Sequence, residues 1–255
     1  MPAIVTTAPS GSPAEADDLA RRFGLEARPR DGRPLHEILA EAEGRPVLVL
    51  GEKRADLYDG NLAWRASAGL AFLRLLRARH GPPDPLVAAA DLKAGERVLD
   101  ATLGLAGDAL LAAQATNTTV VGLEQSGLLG AFTQAGLTRL PGHGREPGSL
   151  IDVRHQDHRS FLKAQQTGSF DVVLLDPMFR IKGDAGPLFD LLRAHADHAE
   201  LTKETLTEAR RVARRGVLVK DHARGAELQR LGLTPRLSRR MAVIAFGWAD
   251  SLIPR

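Results

Sequence analysis

Residues 97–124 read RVLDATLGLAGDALLAAQATNTTVVGLE. The stretch opens on a short apolar strand, Arg97–Asp100. It runs through a turn bounded by Gly104 and Gly107 into a helix over Asp108–Ala115, and closes on a second strand, Thr119–Glu124. Strand, turn, helix and strand in this order form a βαβ unit, whose two strands lie parallel with the helix packed across them. The strands are nearly continuous apolar runs, the mark of a sheet covered on both faces.

The same alternation continues downstream. A helix is expected at Leu128–Leu140, a strand at Ile151–His155 and a helix at Arg159–Gln165. Phe170–Asp176 (FDVVLLD) reads as a strand, and helices follow near Pro187–Ala196 and at Thr205–Arg214. Gly216–Lys220 is a strand, Ala226–Leu231 a short helix and Met241–Trp248 the last strand. The fold class is α/β, a Rossmann-like sheet with helices on both faces. Upstream lies a smaller α/β unit: strands at Ala3–Thr7 and Pro46–Leu50, a helix entered through Ser12, Pro13 and Glu15, and a second helix at His36–Glu43. Asn61–Arg79 carries a helical stripe of Leu62, Leu70, Leu73 and Leu76, which the proline-rich Gly81–Pro85 ends. Residues 1–84 are expected to form the N-terminal subdomain with a long linking helix, and residues 85–255 the larger domain.

The 255 residues are 44% hydrophobic and 25% charged, a globular composition that excludes a mostly disordered chain. There is no cysteine, which excludes disulfides, thiolate metal sites and cysteine nucleophiles. No apolar run is long enough to span a bilayer and no secretory pattern opens the chain, so a cytoplasmic protein is expected. Basic residues outnumber acidic ones by 34 to 31, and 28 of the 34 are arginine. Guanidinium groups suit phosphate and base recognition. A GC-rich gene, suggested by the abundant alanine, glycine and leucine, accounts for the same bias more simply.

Three places carry candidate chemistry. On the first turn, Asp100, Gly104, Gly107 and Asp108 stand where a backbone can approach a ligand closely. Glu124 follows Gly104 by 20 residues and ends the next strand, the spacing at which an acid meets ribose hydroxyls. The first glycine of G-x-G-x-x-G is absent. The pattern therefore suits a nucleoside without pyrophosphate, S-adenosylmethionine being the candidate; a plain βα turn has the same outline. Second, Asp157 follows the Ile151–His155 strand and could accept from an adenine amine or cap the next helix. His155 and His158 show no metal-ligand partners, and no metal is expected. Third, Asp176-Pro177-Met178-Phe179 follows the strand at Phe170. A carboxylate, a carbonyl fixed by proline and an aromatic ring together can hold a planar amine toward a methyl donor.

These segments resemble the class I S-adenosylmethionine-dependent methyltransferases, and more narrowly the RsmJ-like group that methylates a guanine N2 amine in small-subunit ribosomal RNA. The matching pieces are DATLGLAGD at Asp100, VGLE at Val121, QDH at Gln156, DVVLLDPMF at Asp171 and VLVKDH at Val217. Asn61-Leu62-Ala63 with Arg65, and Ile4–Thr7, match the group's N-terminal part. The resemblance implies cofactor contacts at Gly107 and Asp108, a ribose pair at Glu124 and Gln125, an adenine-side pair at Asp157 and His158, and an acid beside the methyl group at Asp176. The ribosomal enzymes carry Gly-Arg-Asp at Ala106–Asp108, Glu-Arg at Glu124-Gln125 and a serine pair at Asp157-His158, so this chain lacks an arginine contact of theirs.

The reaction so implied is in-line transfer of a methyl group to an exocyclic amine of guanine in ribosomal RNA, free or in the assembled particle. Asp176 and the Pro177 carbonyl would accept from the amine and Phe179 would stack on the base. Arg65, Lys220, Arg239 and Arg240 are the candidates for RNA phosphates. The competing readings are amino methylation of DNA adenine or a protein amide, and a non-catalytic RNA- or nucleotide-binding module on the same fold.

Overall fold

The computed structural model describes residues 1–66, 74–77, 81–140, 147–177, 187–237 and 242–254. The chain opens with Ile4–Thr7 (β1), Pro13–Phe23 (α1), Glu26–Ala27 (β2), Leu35–Glu41 (α2) and Val47–Leu50 (β3). Helix α1 starts as its sequence dictates. Ser12 is extended, its side chain accepts from the Glu15 amide at 3.3 Å, and Pro13 occupies the first turn. Gly24, left-handed at φ 67°, ends it.

Ala55–Asp59 (β4) and Leu62–Arg65 (β5) correct the expectation of one long helix from Asn61. They pair antiparallel, Asp59 opposite Leu62 and Leu57 opposite Trp64. The two-residue loop between them begins with Gly60 at φ 55°, the left-handed geometry a tight hairpin needs. Cross-strand pairing decides the element: Leu57 and its partner Trp64 are both buried, while the next residue, Arg65, turns to the other face and is exposed. Residues 74–77 are helical, and the rest of the expected stripe, 67–73 and 78–80, lies outside the described residues. The first sheet has the order β2-β1-β3-β4-β5.

Downstream come Pro85–Ala90 (α3), Val98–Asp100 (β6), Gly107–Thr116 (α4), Val120–Glu124 (β7), Gly127–Leu137 (α5) and Ile151–His155 (β8). Then follow His158–Ala164 (α6), Phe170–Leu175 (β9), Pro187–His195 (α7), Lys203–Val212 (α8), Ala213–His222 (β10), Glu227–Arg230 (α9), Arg236–Leu237 (β11) and Ile244–Asp250 (β12). The proline-rich stretch that ends the leucine stripe also starts a helix, since Asp84 caps α3 by accepting from the Leu86 amide at 2.9 Å.

The second sheet has the order β11-β12-β10-β9-β6-β7-β8, parallel from β10 to β8 and antiparallel at β12. Successive residues serve opposite faces. Val98, Val172 and Leu174 join one core; Leu99, Val173 and Leu175 join the other. The first core also takes in Phe23, Leu48, Leu57 and Trp64, so the N-terminal sheet shares it. From β6 the chain moves outward through β7 and β8, then returns to β9 on the other side of β6. That reversal opens a crevice at the carboxyl ends of β6 and β9, where ligands bind in sheets of this type. Among the described residues no helix is long and apolar enough to cross a membrane.

Candidate active site

The turn after β6 is stitched to the strands beside it. The Ala101 amide donates to the Leu174 carbonyl at 3.0 Å, and the Leu103 amide to the Leu123 carbonyl at 2.9 Å. Asp100 is 2% exposed and accepts from the Thr102 amide at 3.2 Å, so it shapes the turn from beneath. Burial, then the Asp108 carboxylate, push its pKa up to about 8. Gly104 is left-handed at φ 50°, and a Cβ there would meet only the Leu192 methyl at 3.6 Å. Helix α7, which carries Leu192, therefore lies over this turn. Ala106, left-handed at φ 60° and buried, leads into α4. The first amides of α4, at Gly107 and Asp108, are of the kind a helix leaves without internal partners.

Glu124 lies at the carboxyl end of β7 and is 6% exposed. Its Oε2 accepts from the Gly104 amide at 3.0 Å and its Oε1 from the Ser126 amide at 2.8 Å. Burial pushes its carboxyl above the usual range, against the pull of these donors. Gln125 and Asp157 meet through Arg159, which donates to Gln125 Oε1 at 3.0 Å and to Asp157 Oδ2 at 2.5 Å. Asp157 Oδ1 accepts from the Ser160 amide at 2.8 Å and caps α6. Both oxygens are thus engaged, one by Arg159 and one by the cap, which is the second of the two uses its position allowed. Burial raises its pKa, but Arg159 and the cap outweigh it and hold the group below its ordinary value. His158 is half-buried, and burial lowers its pKa, favouring the neutral ring.

Asp176 emerges just past β9. Its amide donates to Thr102 Oγ1 at 2.6 Å, tying it to the turn after β6. Its Oδ2 accepts from Lys220 Nζ at 2.5 Å, and the same ammonium donates to Asp108 Oδ2 at 2.8 Å. Asp108 Oδ1 accepts from Arg74 at 3.0 Å, and Arg74 grips Asp84 with two further bonds of 2.8 and 3.0 Å. Burial alone would raise Asp108, but Lys220 and Arg74 hold it below its ordinary value. Asp176 goes the other way: burial, with Asp108 nearby, raises it despite Lys220. Burial works against charge on Lys220 and Arg74 too, yet the carboxylates around them raise both pKa values, so both stay cationic.

Lys220, expected on an RNA phosphate, is corrected to a bridge between two carboxylates; an ammonium so engaged and 16% exposed is not free for phosphate. The Asp108 carboxylate is likewise taken up by two cations, Arg74 and Lys220. Arg65 stands on β5, bonded to Asp56 at 2.9 Å and 62% exposed, apart from this chain of charges. Pro177 follows Asp176 and is half-buried. Phe179, Arg239 and Arg240 lie outside the described residues. Arg74 and Asp84 were not legible as site residues. Only the Asp84-Pro85 cap pattern marked either of them locally.

A family model described as "Putative SAM-dependent methyltransferase" matches residues 75–240. The Bacillus subtilis (strain 168) "Uncharacterized protein YpiP" is 30% identical over 243 residues, covering 91% of this chain and 92% of that protein. The crystal structure of the SAM-dependent methyltransferase NGO1261 from Neisseria gonorrhoeae superposes with a TM-score of 0.68. That similarity covers 99% of this chain and 97% of NGO1261, and at 19% identity it concerns the fold.

Proposed function

Since the chain belongs to the SAM-dependent methyltransferase family, with S-adenosylmethionine as methyl donor, we propose that it methylates an exocyclic amine of guanine in ribosomal RNA. The donor set suits the cofactor. A buried carboxylate, Glu124, holds a glycine turn whose Gly104 is faced only by the end of a flexible side chain, Leu192. When bound, S-adenosylmethionine supplies a methyl group activated on a sulfonium, so the protein's task is to position the reactants.

In this reading Glu124 accepts from the ribose hydroxyls, and Gln125 and His158 line the nucleoside side. The amides of Gly107 and Asp108 face the cofactor at the start of α4. Asp176 accepts from the target amine and the Pro177 carbonyl accepts beside it. A base amine is a weak nucleophile because its lone pair is delocalised into the ring. Acceptors placed on its hydrogens draw the lone pair out of conjugation and stabilise the charge that develops. The single observation that carries the reading is Asp176, held by Thr102 and Lys220 at the switch point between β6 and β9. Residues 1–84 would act as an accessory unit beside the methyltransferase unit of 85–255, with Arg65 offered to RNA phosphate.

Incubation with methyl-labelled S-adenosylmethionine tests this, using small ribosomal subunits, naked ribosomal RNA, DNA and protein in separate reactions. Label recovered as N-methylguanine in RNA is expected. Label confined to DNA or protein would overturn the substrate. Cofactor binding with no transfer to any of the four would overturn the enzymatic reading.

A further inference from the structure

Five charged side chains alternate in sign along one line: Asp84, Arg74, Asp108, Lys220 and Asp176. They come from five parts of the chain: the residue before α3, the helical turn at 74–77, α4, β10 and the end of β9. Asp100, on β6, is a further titratable group beside them, and it feels both Asp108 and Asp176. Each oxygen of Asp108 takes one cation, so Asp108 fixes Lys220 relative to Arg74. At the end of the line Lys220 takes Asp176 Oδ2. Asp176 Oδ1 has no partner among the described residues and is not among the buried atoms left unsatisfied, so it is open to a ligand. A carboxylate with one oxygen anchored and one open has a single direction in which to accept.

We propose that Lys220 is a positioning residue for methyl transfer, aiming Asp176 Oδ1 at the target amine, and that Arg74 sets Lys220 in place through Asp108. The proposal rests on Asp176 being the amine's acceptor. It makes the helical turn at 74–77, through Arg74, part of the catalytic geometry. Lys220 also favours the charged form of Asp176 against the burial that raises its pKa, since an opposite charge lies at hydrogen-bond distance. Arg74 acts in the same direction from one step further away.

The test follows the Asp176 side-chain carboxyl by carbon-detected NMR across a pH titration of the full chain without cofactor. Wild type is compared with Lys220→Met, Lys220→Arg and Arg74→Gln. In Lys220→Met the Asp176 midpoint should rise by about one pH unit or more. Lys220→Arg should keep it near wild type, and Arg74→Gln should raise it by a smaller amount. At saturating S-adenosylmethionine, the acid limb of kcat on the methyl-accepting RNA should move with the midpoint, while KM for the acceptor changes little. A midpoint unmoved in Lys220→Met overturns the proposal. Should Lys220→Met fail to fold, an unmoved midpoint in Arg74→Gln overturns it instead. Asp176→Ala separates the two levels. Wild-type turnover in that variant removes the acceptor reading and the proposal with it, whereas a severe defect beside an unmoved midpoint removes the proposal alone.

Discussion

Glu124 Oε2 accepts the amide of Gly104, 20 residues earlier, at 3.0 Å. The acid at the end of β7 therefore holds the turn after β6. A carboxylate oxygen has two lone pairs and the backbone uses only one, so in the proposed reading the same group also takes a ribose hydroxyl. Glu124→Ala should weaken S-adenosylmethionine binding by about 1.5–3 kcal/mol, as expected for a lost bond to a charged group. It should also lower folding stability by about 1–3 kcal/mol, because two amides lose their acceptor. Calorimetry and urea unfolding read the two effects. Unchanged affinity would place Glu124 outside the site, and unchanged stability would detach it from the turn.

Asp176→Ala should cut methyl transfer by roughly a hundredfold or more, in the range of a positioned acid–base group. The contact strengthens as charge develops on the amine, so kcat should suffer more than KM for the acceptor. Asp176→Asn should be milder, since the amide oxygen still accepts. The measurement is made at saturating S-adenosylmethionine, so that any loss of cofactor affinity does not enter kcat. Wild-type kcat in Asp176→Ala would leave the residue as a strand end and no more.

Asp100 gives a pH signature. Its pKa of about 8 in the fold stands above the usual aspartate value near 3.9. The fold thus favours the neutral form. The stability this contributes is present in full below about pH 4 and is lost as pH rises through about 8, at up to about 1.4 kcal/mol per pH unit. Asp100→Asn mimics the neutral acid and keeps an acceptor for the Thr102 amide. Its stability relative to wild type should therefore improve from pH 5 to pH 8. Unfolding curves that stay parallel across that interval would show that Asp100 is ionised throughout.

Arg139 couples the first sheet's helix to α5. It is 6% exposed on its side chain, binds both oxygens of Glu15 at 2.7 and 2.8 Å, and donates to the Gly51 carbonyl at 2.8 Å. Arg139→Ala should cost about 2–4 kcal/mol, less than the full loss of a wholly buried pair because Glu15 is 31% exposed. Limited proteolysis should then cut first within residues 1–66. A variant as stable as wild type would show that the shared apolar core alone holds the first sheet in place.

The sequence by itself determined the parallel sheet, its glycine turn, the acid at the end of β7 and the Asp-Pro step after β9. These features follow from local rules: strand period, turn chemistry and spacing within one βαβ unit. Where two local rules competed, at Asn61–Arg65, a leucine stripe suggested helix and only the pairing of Leu57 with Trp64 decided for strand. The tertiary structure alone decided what the charges do. Lys220 meets Asp176 across 44 residues and Asp108 across 112, and Arg74 meets Asp108 across 34. A lysine and an aspartate so far apart in sequence carry no mutual signal. Whether a charge binds phosphate or bridges carboxylates depends on its burial and on which partners the fold brings within about 3 Å.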